Sequence, residues 1–298
     1  MKGLRVVLMA GLVAAAALAS SSDEATVLNV TLRFQQKRGS DGQTRWSVVE
    51  QRAQWNPKRT AIVVCDMWDD HWCPNAAKRV AELAVPMNAV LKAARERGVF
   101  IIHAPSSVTK FYEGTPQRKR AQSAPFAKTP APLSRAERWG TNWCWPNPDR
   151  EPELPIDDSD MGCDCDEDYA PHAPWTRQIA TLEIADEDAI TDNGQETWNL
   201  LQERKIDNVI LMGVHLNMCV LGRPFGIRQM TYLGKNVVLM RDMTDTMYNP
   251  KKPPHVSHFE GTDLVIGHVE RHWCPTITST VFTGKPFFRF KDDPRWIR

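Results

Sequence analysis

Apolar residues alternate with polar ones from Leu28 through Val30 and Leu32 to Phe34, with Asn29, Thr31 and Arg33 between them. A period of two is the mark of a strand with one buried face. Gly39-Ser40-Asp41-Gly42 supplies a turn and Trp46 to Arg52 returns, so residues 27–53 are predicted to form a β-hairpin arm. From Thr60 the pattern changes. Ala61-Ile62-Val63-Val64-Cys65 is an unbroken apolar run, as expected for a strand buried on both faces, and it stops at Asp66. A helical stretch follows from 76 to 97, broken or restarted at Pro86, and then a second run, Val99-Phe100-Ile101-Ile102-His103. The unit repeats: helix 195–204, strand 209–212, helix 219–232, strand 236–240, helix 262–271 and a last strand over 276–282. Alternation of this kind predicts an α/β fold, a doubly wound, mostly parallel sheet with helices on both faces.

The stretch 104–176 interrupts that rhythm. It holds 11 of the 21 prolines and four tryptophans, which speaks against both a helix and a disordered linker. Its aromatic content predicts a packed excursion that forms a lid or a pocket wall. The main domain is thus expected to run from 60 to 290 with an insertion at 104–176. Composition adds mainly exclusions. With 42% hydrophobic and 24% charged residues and a net charge of +1, the chain carries no basic field suited to nucleic acid. Lys2 and Arg5, the apolar run from Val6 to Leu18 and Ala17-Leu18-Ala19 read as an export signal over residues 1–19, too short to span a bilayer. A secreted or periplasmic location is expected, with no membrane association once the signal is removed. Seven cysteines in such a compartment permit disulfides and leave at least one thiol unpaired within the chain.

Ligands of open parallel sheets bind beyond the carboxyl ends of the strands. Asp66 and His103 are expected there, as is Gly213-Val214-His215-Leu216-Asn217-Met218-Cys219. Cys219 is predicted to open a helix, where the dipole and unpaired N–H groups favour a thiolate and can bind an oxyanion. A nucleophile, a carboxylate base and an anion hole would then meet in one crevice.

The stretches AIVVCDMWDDHWC, from Ala61, and NVILMGVHLNMCVLGRPFGIRQMTYLGKNVVLMRDMTDTM, from Asn208, resemble the isochorismatase-like cysteine hydrolases, which include nicotinamidases and related amidases. The resemblance covers roughly residues 60–110 and 180–285. It implies that Cys219 is the nucleophile and Asp66 the general base. It further implies a cis peptide at Val214–His215 and an oxyanion hole of backbone N–H groups around His215 and Cys219. The family's catalytic lysine has no counterpart in the stretch from Ile184 to Glu196, and Lys110 and Arg223 are the candidate replacements. His71, Trp72, His103 and Asn217 are expected to line the substrate pocket with them. Nicotinamidases hold a metal on an Asp-x-His pair and a further His in a different setting, against Asp70-His71 and His103 here. No cofactor is expected to be required, with a divalent metal on His71 and His103 as the lesser alternative. The partner implied is a small-molecule substrate. Homo-oligomers are frequent in the family.

Three other features need a reading. His-Trp-Cys-Pro occurs at 71–74 and again at 272–275. The two copies fall at opposite rims of a parallel sheet, ~17 Å apart along a five-residue strand. Zinc–ligand distances of ~2.0–2.3 Å cannot bridge that gap, so neither a shared zinc site nor a Cys73–Cys274 disulfide is expected. Asp157 to Asp168 loosely resembles a calcium loop without its spacing, and is expected to be a solvated acidic loop. Within it Cys163 and Cys165 are too close in sequence to pair well, so one is expected to bridge to Cys144. Asp242 and Asp245, past another strand, are expected to shape the site floor or to serve structural hydrogen bonds.

Overall fold

The computed structural model describes residues 27–39 and 45–295. The expected export signal at 1–19, and the hairpin turn apart from Gly39, lie outside them. In chain order the elements are β1 (Leu28–Arg38), β2 (Arg45–Trp55), β3 (Thr60–Cys65), α1 (Pro74–Glu96), β4 (Phe100–Ala104), α2 (Pro116–Ser123), β5 (Glu137–Arg138) and β6 (Thr141–Asn142). After the insertion come β7 (Ala189–Ile190), α3 (Gly194–Glu203), β8 (Asn208–Val214), α4 (Ile227–Tyr232), β9 (Asn236–Asp245), α5 (His258–His272), β10 (Thr276–Ile277) and α6 (Thr280–Thr283).

One sheet runs in the order β2-β1-β10-β9-β8-β3-β4-β7. From β10 to β7 every pairing is parallel, and the β1–β2 hairpin joins at the β10 edge antiparallel, with Arg33 opposite Thr276. Alternation along β3 divides the core into two layers. Ile62 and Val64 pack with Leu83, Met87 and Val90 of α1, whereas Ala61, Val63 and Cys65 pack with residues of α3, α4 and α5. The sheet is therefore covered on both faces, which explains why its central strands are apolar throughout.

Several local expectations are corrected. α1 is one continuous helix with Pro86 inside it, kept whole by the buried row Leu83, Ala84, Met87, Val90. No single helix spans 219–232: a wide π-helical turn covers Leu216–Val220, and α4 begins only at Ile227. Pro224 is the physical reason, since it lacks an N–H and disfavours helical backbone at the preceding residue. The last strand ends at Ile277 because Asp242 captures the Ser279 N–H (2.8 Å) and hydroxyl (2.6 Å) and turns the chain into α6. The insertion, finally, contains the helix α2 and the small β5–β6 hairpin.

Candidate active site

β3, β4 and β8 run side by side, with Cys65 opposite both Ala104 and Gly213, so their carboxyl ends form one ledge. Gly213 is required there. Its φ is +105°, and a Cβ would sit 2.0 Å from the Cys65 carbonyl oxygen. Asp66 leaves β3 in the left-handed region, at φ 47°, a conformation aspartate tolerates better than most residues. Its Oδ1 accepts the Ser106 N–H at 2.7 Å, and its Oδ2 lies 3.3 Å from Arg223 Nε. Asp66 and Arg223 are also the charged groups that act most strongly on the Cys219 thiol. Arg223, 2% exposed, is anchored further by Thr141 of β6. The Val214–His215 peptide is cis, as the resemblance implies, and the His215 carbonyl accepts the N–H groups of Met218 and Val220.

Electrostatics correct the thiolate expectation. Cys219 lies within a five-residue turn and is 3% exposed, and burial pushes its thiol up to about 12. Arg223 pulls the other way and the negative charge of Asp66 adds to the rise. Burial disfavours the Arg223 charge, but Cys219 and Asp66 outweigh it and hold that pKa above the ordinary arginine value.

A cavity of about 650 Å³ opens above Cys219 and Arg223. Trp68, Trp72, Trp139 and Trp175 wall it, with Met161, Met218 and Met247 between them. Trp68 and Trp175 stack at 4.1 Å, and the His71 and His215 rings meet edge to face at 5.0 Å. Burial lowers the His71 pKa to about 4 and takes that of His215 well below the usual imidazole range, where neighbouring His71 depresses it further. Both rings are thus neutral at neutral pH. The Cys73 N–H donates to His71 Nδ1 at 3.1 Å, which leaves the proton on Nε2. His215 Nε2 is buried without a hydrogen-bond partner.

Cys219, Arg223, His71, Trp72 and His215 therefore share one cavity, with Asp66 beneath it. Three expected lining residues do not join them. His103 lies inside β4, fully buried, with Nδ1 3.0 Å from Gln178 and Nε2 3.0 Å from Asp188, so neither nitrogen is open to substrate or metal. Lys110 is exposed on the turn Thr109–Tyr112 and is absent from the cavity wall. Asn217 acts behind the wall, where it donates to Asp158 (2.8 Å) and to the Met247 carbonyl and accepts the Met247 N–H. The insertion supplies Trp139, Met161, His172 and Trp175, a role its aromatic content announced without naming the residues.

The remaining sequence features also find their places. Cys73 pairs with Cys163 rather than either Cys163 or Cys165 with Cys144, because the acidic stretch folds against the start of α1 and leaves Cys144 buried elsewhere. That stretch is docked over its first part, where Asp164 binds Arg79 at 2.8 and 3.1 Å and Asp160 accepts from Asn249, and is solvated as expected at Asp166-Glu167-Asp168. Asp245 pairs with Arg79 and His258, and Asp242 holds Ser279, so both serve structural bonds. Cys274 is a free, buried thiol, well separated in the fold's pairing from Cys73.

The fold and site together define a doubly wound α/β protein with a cysteine, an aspartate and an arginine at the floor of a tryptophan-walled cleft. No family model matches the chain, and none of the curated proteins matches it in sequence. Among solved structures it is similar to a cysteine hydrolase from Pseudomonas syringae pv. phaseolicola, at 18% identity over 76% of this chain and 91% of that one, with a TM-score of 0.46. An isochorismatase family protein from Desulfovibrio vulgaris is similar at 15% identity over 74% and 95%, TM-score 0.41. A ribonuclease from Caenorhabditis elegans is similar at 17% over 82% and 88%, TM-score 0.43. At such identities the chemistry of the cleft has to be argued from its own residues.

Proposed function

We propose that the protein is a cysteine-dependent hydrolase that cleaves an amide or related C–N bond of a small molecule through a thioester. The observation that carries this reading is the Cys219 thiol in the wall of the cavity, with Asp66 and Arg223, themselves 3.3 Å apart, as its nearest acting charges. Burial holds the proton on sulfur at neutral pH, so proton transfer to Asp66 accompanies attack instead of preceding it. The C–S bond forms as Asp66 takes the proton and Arg223 balances the sulfur's charge. Backbone N–H groups around His215 and Cys219 hold the oxyanion. Collapse expels the amine with the proton from Asp66; a water deprotonated by Asp66 then attacks the thioester, the C–S bond breaks to release the acid, and Asp66 returns the proton to Cys219. The neutral histidines and tryptophan walls suit a substrate without net charge and with a flat or apolar body. The disulfide Cys73–Cys163 fits the proposed location outside the cytoplasm.

A panel of small amides, assayed with wild type and Cys219→Ala, tests the reading. Turnover with a trapped acyl adduct on Cys219 is expected only in wild type. Equal rates in the two proteins would exclude the mechanism. The protonated thiol favours one second reading, a small-molecule-binding protein on the same scaffold. In that case Cys219→Ala binds the same ligand as wild type and neither protein turns it over.

A further inference from the structure

A second group of sulfur atoms lies beside the cleft, apart from Cys219. Cys73 and Cys163 are joined, with Cα atoms 5.6 Å apart, inside the usual disulfide range. Cys165 is a free thiol, half-buried, and its Sγ stands 3.9 Å from Cys73 Sγ. All three sulfurs lie within 4.8 Å of one another. A free thiol this near a disulfide sulfur exchanges with it once the three sulfurs come into line, which from this triangular arrangement requires the Cys163–Cys165 turn to swing. We infer that Cys73, Cys163 and Cys165 form a thiol–disulfide exchange site in which Cys73 alternates between the other two and resets one wall of the cleft.

The step balances without any external oxidant or reductant. The Cys165 thiol gives its proton to solvent, and the thiolate attacks Cys73 Sγ. A Cys73–Cys165 bond forms, the Cys73–Cys163 bond breaks, and Cys163 leaves as a thiolate that takes up a proton. Attack on Cys163 is the poorer course, because two cysteines one residue apart bridge only with distortion.

Exchange shifts the tether between two cleft-forming segments by two residues. On one side Cys73 follows Trp72, and its N–H orients His71. On the other, Met161 and Trp175 flank the cysteines in sequence and line the cavity. Asp164, between the two alternative partners, holds Arg79 and lies 3.5 Å from His258. A change of partner therefore has to move this ion pair, which gives the wall two discrete positions. The proposal does not depend on Cys219 being a nucleophile.

Full-length Cys163→Ser and Cys165→Ser proteins, acid-quenched and mapped by non-reducing peptide mass spectrometry, test it. Cys163→Ser is expected to hold a Cys73–Cys165 bond, and Cys165→Ser a Cys73–Cys163 bond. Iodoacetamide added to wild type before the quench should label Cys163 as well as Cys165, one or the other per molecule. The alkylation rate of Cys219 should differ several-fold between the two variants, because they fix different walls. Free Cys73 and Cys165 in Cys163→Ser, or wild-type label confined to Cys165, would overturn the exchange. Equal Cys219 rates would overturn its link to the cleft. Three reduced thiols carrying one equivalent of metal would replace it with a thiolate metal site.

Discussion

Arg223 shows how much one side chain decides here. Its guanidinium is the cation that faces Cys219 and Asp66, in a position where sequence comparison leaves only an absent lysine and two candidates. Chain position could not separate Arg223 from Lys110, since both lie near strand ends. Burial does, with Arg223 2% exposed and Lys110 on the surface. Arg223→Met strands the Asp66 carboxylate, and breaking a buried pair in this way costs ~3–5 kcal/mol, measurable by chemical denaturation. The charge that lowers the Cys219 pKa is lost as well, so iodoacetamide should react with Cys219 more slowly than in wild type. Arg223→Lys, which keeps the charge, should fall between them. His71 carries a separate signature. Its folded-state pKa is about 4 against 6.5 for a free imidazole, so the unfolded chain binds the extra proton first. The stability tied to neutral His71 is full above pH 6.5 and declines as pH falls towards 4, by roughly 3 kcal/mol at the limit. His71→Gln should flatten that part of the acid limb in denaturant titrations at a series of pH values.

Elements with a local cause were legible in the sequence, and those fixed by distant partners were not. β3 is an unbroken apolar run because both its faces are covered, and Asp66 ends it directly after its six residues. The shortened β10 depends instead on Asp242 reaching Ser279 across 37 positions, whereas Pro224, five residues after Cys219, is a local stop that the helical pattern over 219–232 masks. The same divide explains the thiol. A helix-dipole argument is local and points to a lowered pKa, while burial by the whole fold is larger and points up. Nor could the sequence pair Trp68 with Trp175, which stack across 107 residues. Gly213 belongs with the second group, because its reason is the close approach of β8 to the Cys65 carbonyl on the neighbouring strand β3. Gly213→Ala would have to push those strands apart beneath the nucleophile. Destabilisation well beyond the ~1 kcal/mol typical of a point substitution is expected, read from the thermal midpoint. Gly234→Ala is the control, having open space around its positive-φ backbone and thus only conformational strain.

At the scale of the whole molecule the insertion is a layer added on the α3–α5 face of the sheet, where its Trp143 and Ile156 join the core cluster. Among the anchors that hold it are the Cys73–Cys163 bond, the Asp164–Arg79 pair and Glu151. Glu151 is the most deeply set, 2% exposed, and it joins the insertion to α4 and α5 at once. It accepts from Arg228 at 2.6 and 3.1 Å and from His268 Nε2 and Trp273 Nε1 at 2.8 Å each. Burial alone would raise its pKa, but His268 and Arg228 overcome that and bring it down to about 2. Its contribution is therefore present above pH 4.5 and is lost as pH falls towards 2, the same direction as for His71. Glu151→Gln keeps the shape and removes the charge, leaving Arg228 buried without its carboxylate. A loss of ~3–5 kcal/mol is expected if this anchor is coupled to global unfolding. Should the insertion instead open by itself, the thermal midpoint of the sheet stays near wild type. Hydrogen exchange over 139–175 then accelerates while β3 and β8 remain protected. The second pattern is the one the architecture favours, since neither core layer draws its sheet contacts from Glu151. Because Trp139, Met161 and Trp175 travel with that segment, the same variant should expose Cys219 to alkylation. Faster exchange at the insertion without faster Cys219 labelling would show that the cleft wall does not depend on this anchor.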